Sequence, residues 1–306
     1  MTNQKIILNK KSDIRLLLLS LLFSIIITAS LKAEIFSIQL DWKQGEKYIY
    51  DVTESHIVYR DKLPIMSNIQ RSKISLEFYR INDDYNKLRW RYVWIQADTN
   101  RINDYTYKSL YNLSNNLSFD IITDKHGVYQ YLINWEQIRD LGTTFIDSVI
   151  SKLPEHYQGN AVNAAKAALL NIRKQYESHD AIEAGLMQNI LIFLQAYSYN
   201  YDNSGPIEQD AVMENPLTKE MVSGKLIRIG IIKKPERLLS IDIKQLVQDS
   251  VKAKGFDTPQ ILELLFKTSV DIDTSNGTVK DLSYSRQVLL GNQEDVKSVF
   301  IRRSKD

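Results

Sequence analysis

The chain has 306 residues, 43% hydrophobic and 25% charged, an ordinary globular composition with room for one large domain or two small ones. It has no cysteine, which excludes disulfides, thiolate metal sites, cysteine nucleophiles and the lipid-bearing cysteine of a bacterial lipoprotein. Its 39 basic and 37 acidic residues show no basic excess of the kind nucleic acid demands, and no nucleic-acid partner is expected.

Lys5, Lys10, Lys11 and Arg15 precede the apolar run LLLLSLLFSIIITASL, and Lys32 ends it. A basic region, an apolar run and then small residues is the pattern of a secretory signal. Residues 1–33 are therefore read as a signal peptide, cleaved between Ser30 and Glu34, with the periplasm or cell surface as destination. The alternative is an N-terminal membrane anchor. The run's sixteen residues make only ~24 Å of helix against a ~30 Å hydrocarbon core, which favours cleavage. Membrane contact is then expected only through this segment, before cleavage. The segment holds five basic residues and one acid, so the rest of the chain has 34 basic and 36 acidic residues.

QLDWKQGEKYIYDVTESHIVYR alternates with a period of two and predicts a long strand. KISLEFYRI and LRWRYVWIQAD alternate in the same way across a turn at NDDYNK, predicting a hairpin over residues 74–97. LSFDIIT and VYQYLI flank DKHG, a second hairpin with Gly127 where a positive φ is often required. From Trp135 the apolar period becomes 3.6, through Ile138, Leu141, Phe145, Ile146, Val149, Ile150 and Leu153, with Asn134 as cap and Gln137 three residues on. A second helix is expected from about Asn160. A third, the most buried, is expected from Asp180 as cap to about Tyr197.

YDNSGP breaks the chain, and strand-like segments return beyond it: KLIRIGII, RLLSIDI, SVDIDT, TVKDLSYSRQVLL and VKSVFIRR. QLVQDSVKAKG and TPQILELLF are read there as short helices, the first ending at Gly255 and the second capped by Thr258 with Pro259 in its first turn. The SNG at 275–277 is a hairpin signal.

Strands, then helices, then strands, without βαβ alternation, predict an α+β fold. The expected architecture is a curved antiparallel sheet, in the manner of a half-barrel, with about three central helices packed on one face. Residues 34–306 form a single domain: strands at 45–133, helices at 135–200, strands and short helices at 211–303. The segments LDWKQGEKYIYDV, FDIITDKHGVYQYLINWEQI and ENPLTKEMVSGKLIRIG resemble the layout of uncharacterised exported β-rich proteins of Bacteroidota-type bacteria. The overall plan is loosely similar to that of the lipoprotein carriers, a curved sheet with helices against its concave face. The resemblance implies a periplasmic or cell-surface protein holding an apolar ligand, and it carries over no catalytic residue.

Chemical motifs are missing from the sequence. The four histidines, at 56, 126, 156 and 179, lie far apart, and there is no HExxH, GxSxG or GxGxxG. SGK at 223–225 has Lys219 where a phosphate loop needs glycine. DIDTSNGT approaches a calcium loop, but its glycine is one place late and Leu282 stands where the closing glutamate belongs. No metal or cofactor is expected. Glu77, Asp83, Asp84, Glu136, Asp140 and Asp147 could supply a carboxylate pair for glycoside hydrolysis, but nothing in their spacing selects two of them.

That leaves Trp90, Tyr92 and Trp94, which strict alternation places on one face of the strand, with Arg89, Arg91, Val93 and Ile95 on the other. Such a stripe is either core or a ligand wall. The resulting expectation is a non-catalytic exported protein binding a lipid or other apolar or amphipathic ligand, with Trp90, Tyr92 and Trp94 as candidate ligand-binding residues. The alternatives are a structural partner of an envelope protein and, behind it, a carboxylate-dependent hydrolase.

Overall fold

The computed structural model describes residues 35–38, 40–96, 104–202, 205–214, 221–233, 238–251 and 260–304. The expected signal peptide, and Gly255, Thr258 and Pro259, lie outside them. Among the described residues, no helix is long and apolar enough to cross a membrane.

Among the described residues, eleven antiparallel strands form one open sheet. The early strands are β2 (Lys47–Arg60), β3 (Leu63–Arg80), β4 (Tyr85–Ile95), β5 (Ser118–Asp124) and β6 (Tyr129–Leu132). The late strands are β8 (Ile207–Glu214), β9 (Met221–Lys233), β10 (Leu238–Val251), β11 (Gln260–Asp273), β12 (Val279–Leu290) and β13 (Gln293–Arg303). Each set is a meander, and the two are sewn together where β13 pairs with β2, Ile301 opposite Val52. Both halves contribute to one core with the helices, and the pairing of the first long strand with the last joins them into one continuous sheet. Two short strands, β1 (Ile35–Ser37) and β7 (Asn200–Asp202), pair separately.

Period-two alternation decides which side chains face inward. Tyr50, Val52, Ile74, Leu76, Phe78, Trp90 and Ile301 are buried on one face, while Asp51, Lys73 and Arg302 face outward. Over the inner face lie α2 (Trp135–His156), α3 (Asn160–Arg173), α4 (His179–Leu186) and α5 (Gln188–Leu194). Phe193 of α5 stands edge-on to both Tyr50 and Trp90, at centroid distances of 5.4 and 5.7 Å, and anchors the helices to the sheet. The Tyr197 hydroxyl, just beyond α5, donates to the Gly277 carbonyl at 2.7 Å and ties the same segment to the β11–β12 turn.

Several expectations are corrected. QLVQDSV lies in β10 and QILELLF in β11, with Val251 opposite Gln260, so neither is a helix. A short apolar run suits either period; here Val247 and Leu264 close a small second core with Val288, which only extended chains can do. The third helix breaks at Met187, which has φ −98° and ψ 7°. Its apolar residues spread over half the circumference of a straight helix, more than one contact stripe buries, and the break turns Ile190, Phe193 and Leu194 onto the sheet. Its cap is Ser178, whose hydroxyl accepts from the Ala181 amide, rather than Asp180. Asn134 holds the N-cap position of α2 as expected, but its side chain makes no capping hydrogen bond. Its side chain instead accepts from the Asp120 amide and donates to the Ser118 carbonyl, pinning α2 to β5. Leu141 is exposed.

A further helix, α1 (Tyr105–Asn115), escaped the sequence reading although Asp104 caps it, accepting from the Tyr107 amide at 2.7 Å. The β2–β3 hairpin was missed as well. It turns at Asp61 and Lys62, with φ of 51° and 66°, a turn that normally advertises itself with glycine. Gly127 and Gly277 do take the positive φ their turns need, at 95° and 71°.

Candidate functional site

The aromatic stripe does not survive as a stripe. In the β3–β4 pairing Ile74 is opposite Tyr92 and Lys73 is opposite Trp94, so Val93 is an extra residue, a β-bulge. Beyond it the alternation reverses. Trp90 faces inward and is 1% exposed, sealed against Phe193. Trp94 is thrown to the outer face at 45% exposure, and Ile95 takes the buried place beside it. Of the three, Tyr92 borders a hollow of about 340 Å³. Strict alternation cannot reveal a bulge, because the inserted Val93 is itself an ordinary strand residue.

The hollow Tyr92 borders belongs to a groove between the inner sheet face and the helical layer. The central part, about 460 Å³, lies under the start of α5. Leu191, Ile192, Phe266 and Tyr284 form its apolar wall, while Glu54, His56, Arg286 and Lys297 lie toward its polar end. A second part of about 360 Å³ shares that apolar wall and runs on past Ile243 and Gln245. A third, about 340 Å³, shares Glu54, Gln70 and Asn189 with the centre and reaches Tyr92 and Ile95. Along β2 the inner-face side chains change from the buried Tyr50 and Val52 to the polar Glu54 and His56 that line the groove.

These residues are placed by register. On β2 every second residue faces inward: Tyr50, Val52, Glu54, His56. Lys297 is opposite His56 on β13, and Arg286 is opposite Lys297 on β12. Asp295 binds His56 Nε2 at 2.9 Å and touches Arg286 at 3.4 Å. The Asn189 side chain faces both the Glu54 carboxyl and the Tyr92 hydroxyl. Burial pushes the Glu54 pKa up, and the hydrogen bond from Asn189 only partly offsets it. Burial likewise raises the Tyr92 phenol well above its usual range.

The sign of the Glu54 effect can be tested. The folded chain holds the Glu54 proton more tightly than the unfolded chain does, so stability falls as pH rises through the ordinary carboxylate range toward the higher folded pKa. Glu54→Gln is therefore expected to raise the Tm more at pH 7 than at pH 4. Equal shifts at both pH values in thermal melts would refute this.

A larger hollow of about 700 Å³ lies on the outer face, bordered by Asp51, Asp242, Asp271 and Asp281. Its acids are already engaged: Asp51 with Lys73 and Ser304, Asp242 with Ser269, Asp271 with Ser240, and Asp281 with Arg302. Three of the candidate hydrolytic carboxylates are engaged too. Glu77 pairs with Lys47, Asp140 with Arg139, and Asp147 with Arg173. The Glu77 carboxyl is held below its usual range by the Tyr79 hydroxyl and Lys47, the opposite of what a general acid needs. In the 271–278 turn, Asp273 accepts from Ser275 and pairs with Lys280, which makes it a hairpin brace.

The chain matches no protein-family model and no curated protein. Among solved structures it is similar to lipovitellin, in a structure concerned with lipid–protein interactions in that protein, at 8% identity and a TM-score of 0.37. The alignment covers 86% of this chain and 25% of that one, so the chain spans about a quarter of the length of its structural neighbour.

Proposed function

We propose that this chain is an exported, non-catalytic protein that binds an apolar or amphipathic molecule in the periplasm or at the cell surface. The observation that carries the proposal is the groove of about 460 Å³ beneath α5, apolar along Leu191, Ile192, Phe266 and Tyr284 and polar at its mouth. The proposal takes the sheet as curved, with α2 to α5 as its central helices on the concave side, and takes residues 1–33 as a cleaved signal. It moves the ligand wall from Trp90 and Trp94 to the α5–β11–β12 contact and keeps Tyr92 at one end. The lipoprotein-carrier plan and the Bacteroidota-type likeness remain part of this proposal.

A second reading, a partner of an envelope protein, is favoured by one observation. The start of β3 exposes Leu63 (68%), Ile65 (55%) and Ile69 (55%), and among the described residues no strand pairs with its free side before Ser72.

Native mass spectrometry of the full chain, expressed with its own N-terminus and purified from the cell envelope, separates these readings. The expected spectrum shows the mass of the chain without about residues 1–33, plus a retained small molecule that Ile192→Asp removes. A bare monomer in both forms would overturn the binding proposal. A stable complex with a second protein, lost in Ile69→Lys but not in Ile192→Asp, would establish the second reading in its place.

A further inference from the structure

We infer that the groove selects amphiphiles with an anionic head, held by Arg286 and Lys297 with His56 beside them. The inference rests on the binding proposal above and adds the chemistry of the ligand's polar end.

Register brings the three side chains together. Arg286, Lys297 and His56 occupy one inward-facing row across β12, β13 and β2, each directly opposite the next. Neighbouring strands lie ~4.8 Å apart, so the row spans about 10 Å. Two cations directly opposite each other repel, and a sheet tolerates such a pair only where something neutralises it. Among the described residues, Asp295 is the acid that pairs with this row. Asp295 is 2.9 Å from His56 Nε2 and 3.4 Å from Arg286. Lys297 has no ion pair among the described residues. Arg286 Nε is buried with no hydrogen-bond partner, an orphaned donor beside the hollow. Glu54, two residues along β2 on the same face, is hydrogen-bonded to Asn189 and, among the described residues, makes no ion pair with Arg286 or Lys297.

The apolar wall begins immediately inward of this row. Phe266 is opposite Arg286 on β11, and Tyr284 is two residues along β12 on the same face. Leu191 and Ile192 cover both from α5. A molecule lying along the groove therefore meets half-buried positive charge at one end and hydrocarbon along the rest. A carboxylate or a phosphate ester on a single chain matches both. A neutral head would leave Arg286 Nε unpaired, and a cationic head would add a third positive charge.

Cis-parinaric acid and its methyl ester test this, because they share a fluorescent chain and differ only in charge. Titrated into the delipidated full chain below their critical micelle concentrations, the acid is expected to bind at least about tenfold more tightly than the ester, as a charge-assisted hydrogen bond in a half-buried site would give. Lys297→Gln and Arg286→Gln are each expected to narrow that ratio to about threefold or less, while Lys297→Arg keeps it. Displacement of the acid by monododecyl phosphate but not by palmitate would mark a phosphate-headed lipid as the natural class, and the reverse a fatty acid. Equal affinity for acid and ester, or a ratio the substitutions leave intact, would overturn the inference and leave the binding proposal standing. Failure of both probes to bind would overturn the binding proposal itself.

Discussion

Trp90→Ala is expected to destabilise the protein by about 3–5 kcal/mol, and Trp94→Ala, four residues further along the same strand, by no more than about 0.5 kcal/mol. The two rings differ in face. Trp90 is fully buried and packs edge-on to Phe193, itself in contact with Tyr50, so its loss opens a cavity where the helical layer is anchored. The rigid inner face of the sheet cannot collapse into that space. Trp94 stands on the outer face opposite Lys73, nearly half exposed, and its removal leaves the core as it was. Guanidinium titrations with a shared m-value would show the contrast directly as a difference in midpoint. Similar losses for the two variants would mean that Val93 is not bulged and that both rings face the helices.

Gly142→Ala is the second substitution with a large expected cost, about 1–3 kcal/mol, although alanine is the better helix former by about 1 kcal/mol. At Gly142 the helix α2 touches the ring of Tyr176, in the short turn after α3. A methyl group there would lie 2.0 Å from Tyr176 Cδ1 and 2.5 Å from Cγ. Tyr176 is buried and cannot swing out, so α2 and the segment after α3 must separate. A double-mutant cycle isolates the clash. With Tyr176→Ala as background, Gly142→Ala should become neutral or stabilising, a coupling of about 2–3 kcal/mol. Additive costs in the cycle would show that the glycine serves some purpose other than close approach.

The residues themselves determined much of this protein. Period-two alternation marks β2, the 74–97 hairpin and the last strand. The change to period 3.6 at Trp135 marks α2, and Asn-Gly at 276–277 marks the β11–β12 turn. Each of these rests on interactions between residues close in sequence, which is why composition and spacing reveal them.

Only the tertiary structure decided the rest. QLVQDSV and QILELLF suit a helix or a strand equally, and pairing with each other and with β12 made them strands. The Asp61–Lys62 turn carries no glycine, so its positive φ became visible only through the register it sets. The bulge at Val93 reversed the face of Trp94, a change of one residue that no periodicity count detects. The candidate site was the least legible part. Its residues come from β2, β3, α5, β11, β12 and β13, positions 54 to 299, and converge because β13 returns to pair with β2. Arg286, Lys297 and His56 are unremarkable singly in the sequence. They become one row, two cations with an imidazole beside them, next to an apolar groove only when cross-strand register, a long-range property, sets them side by side.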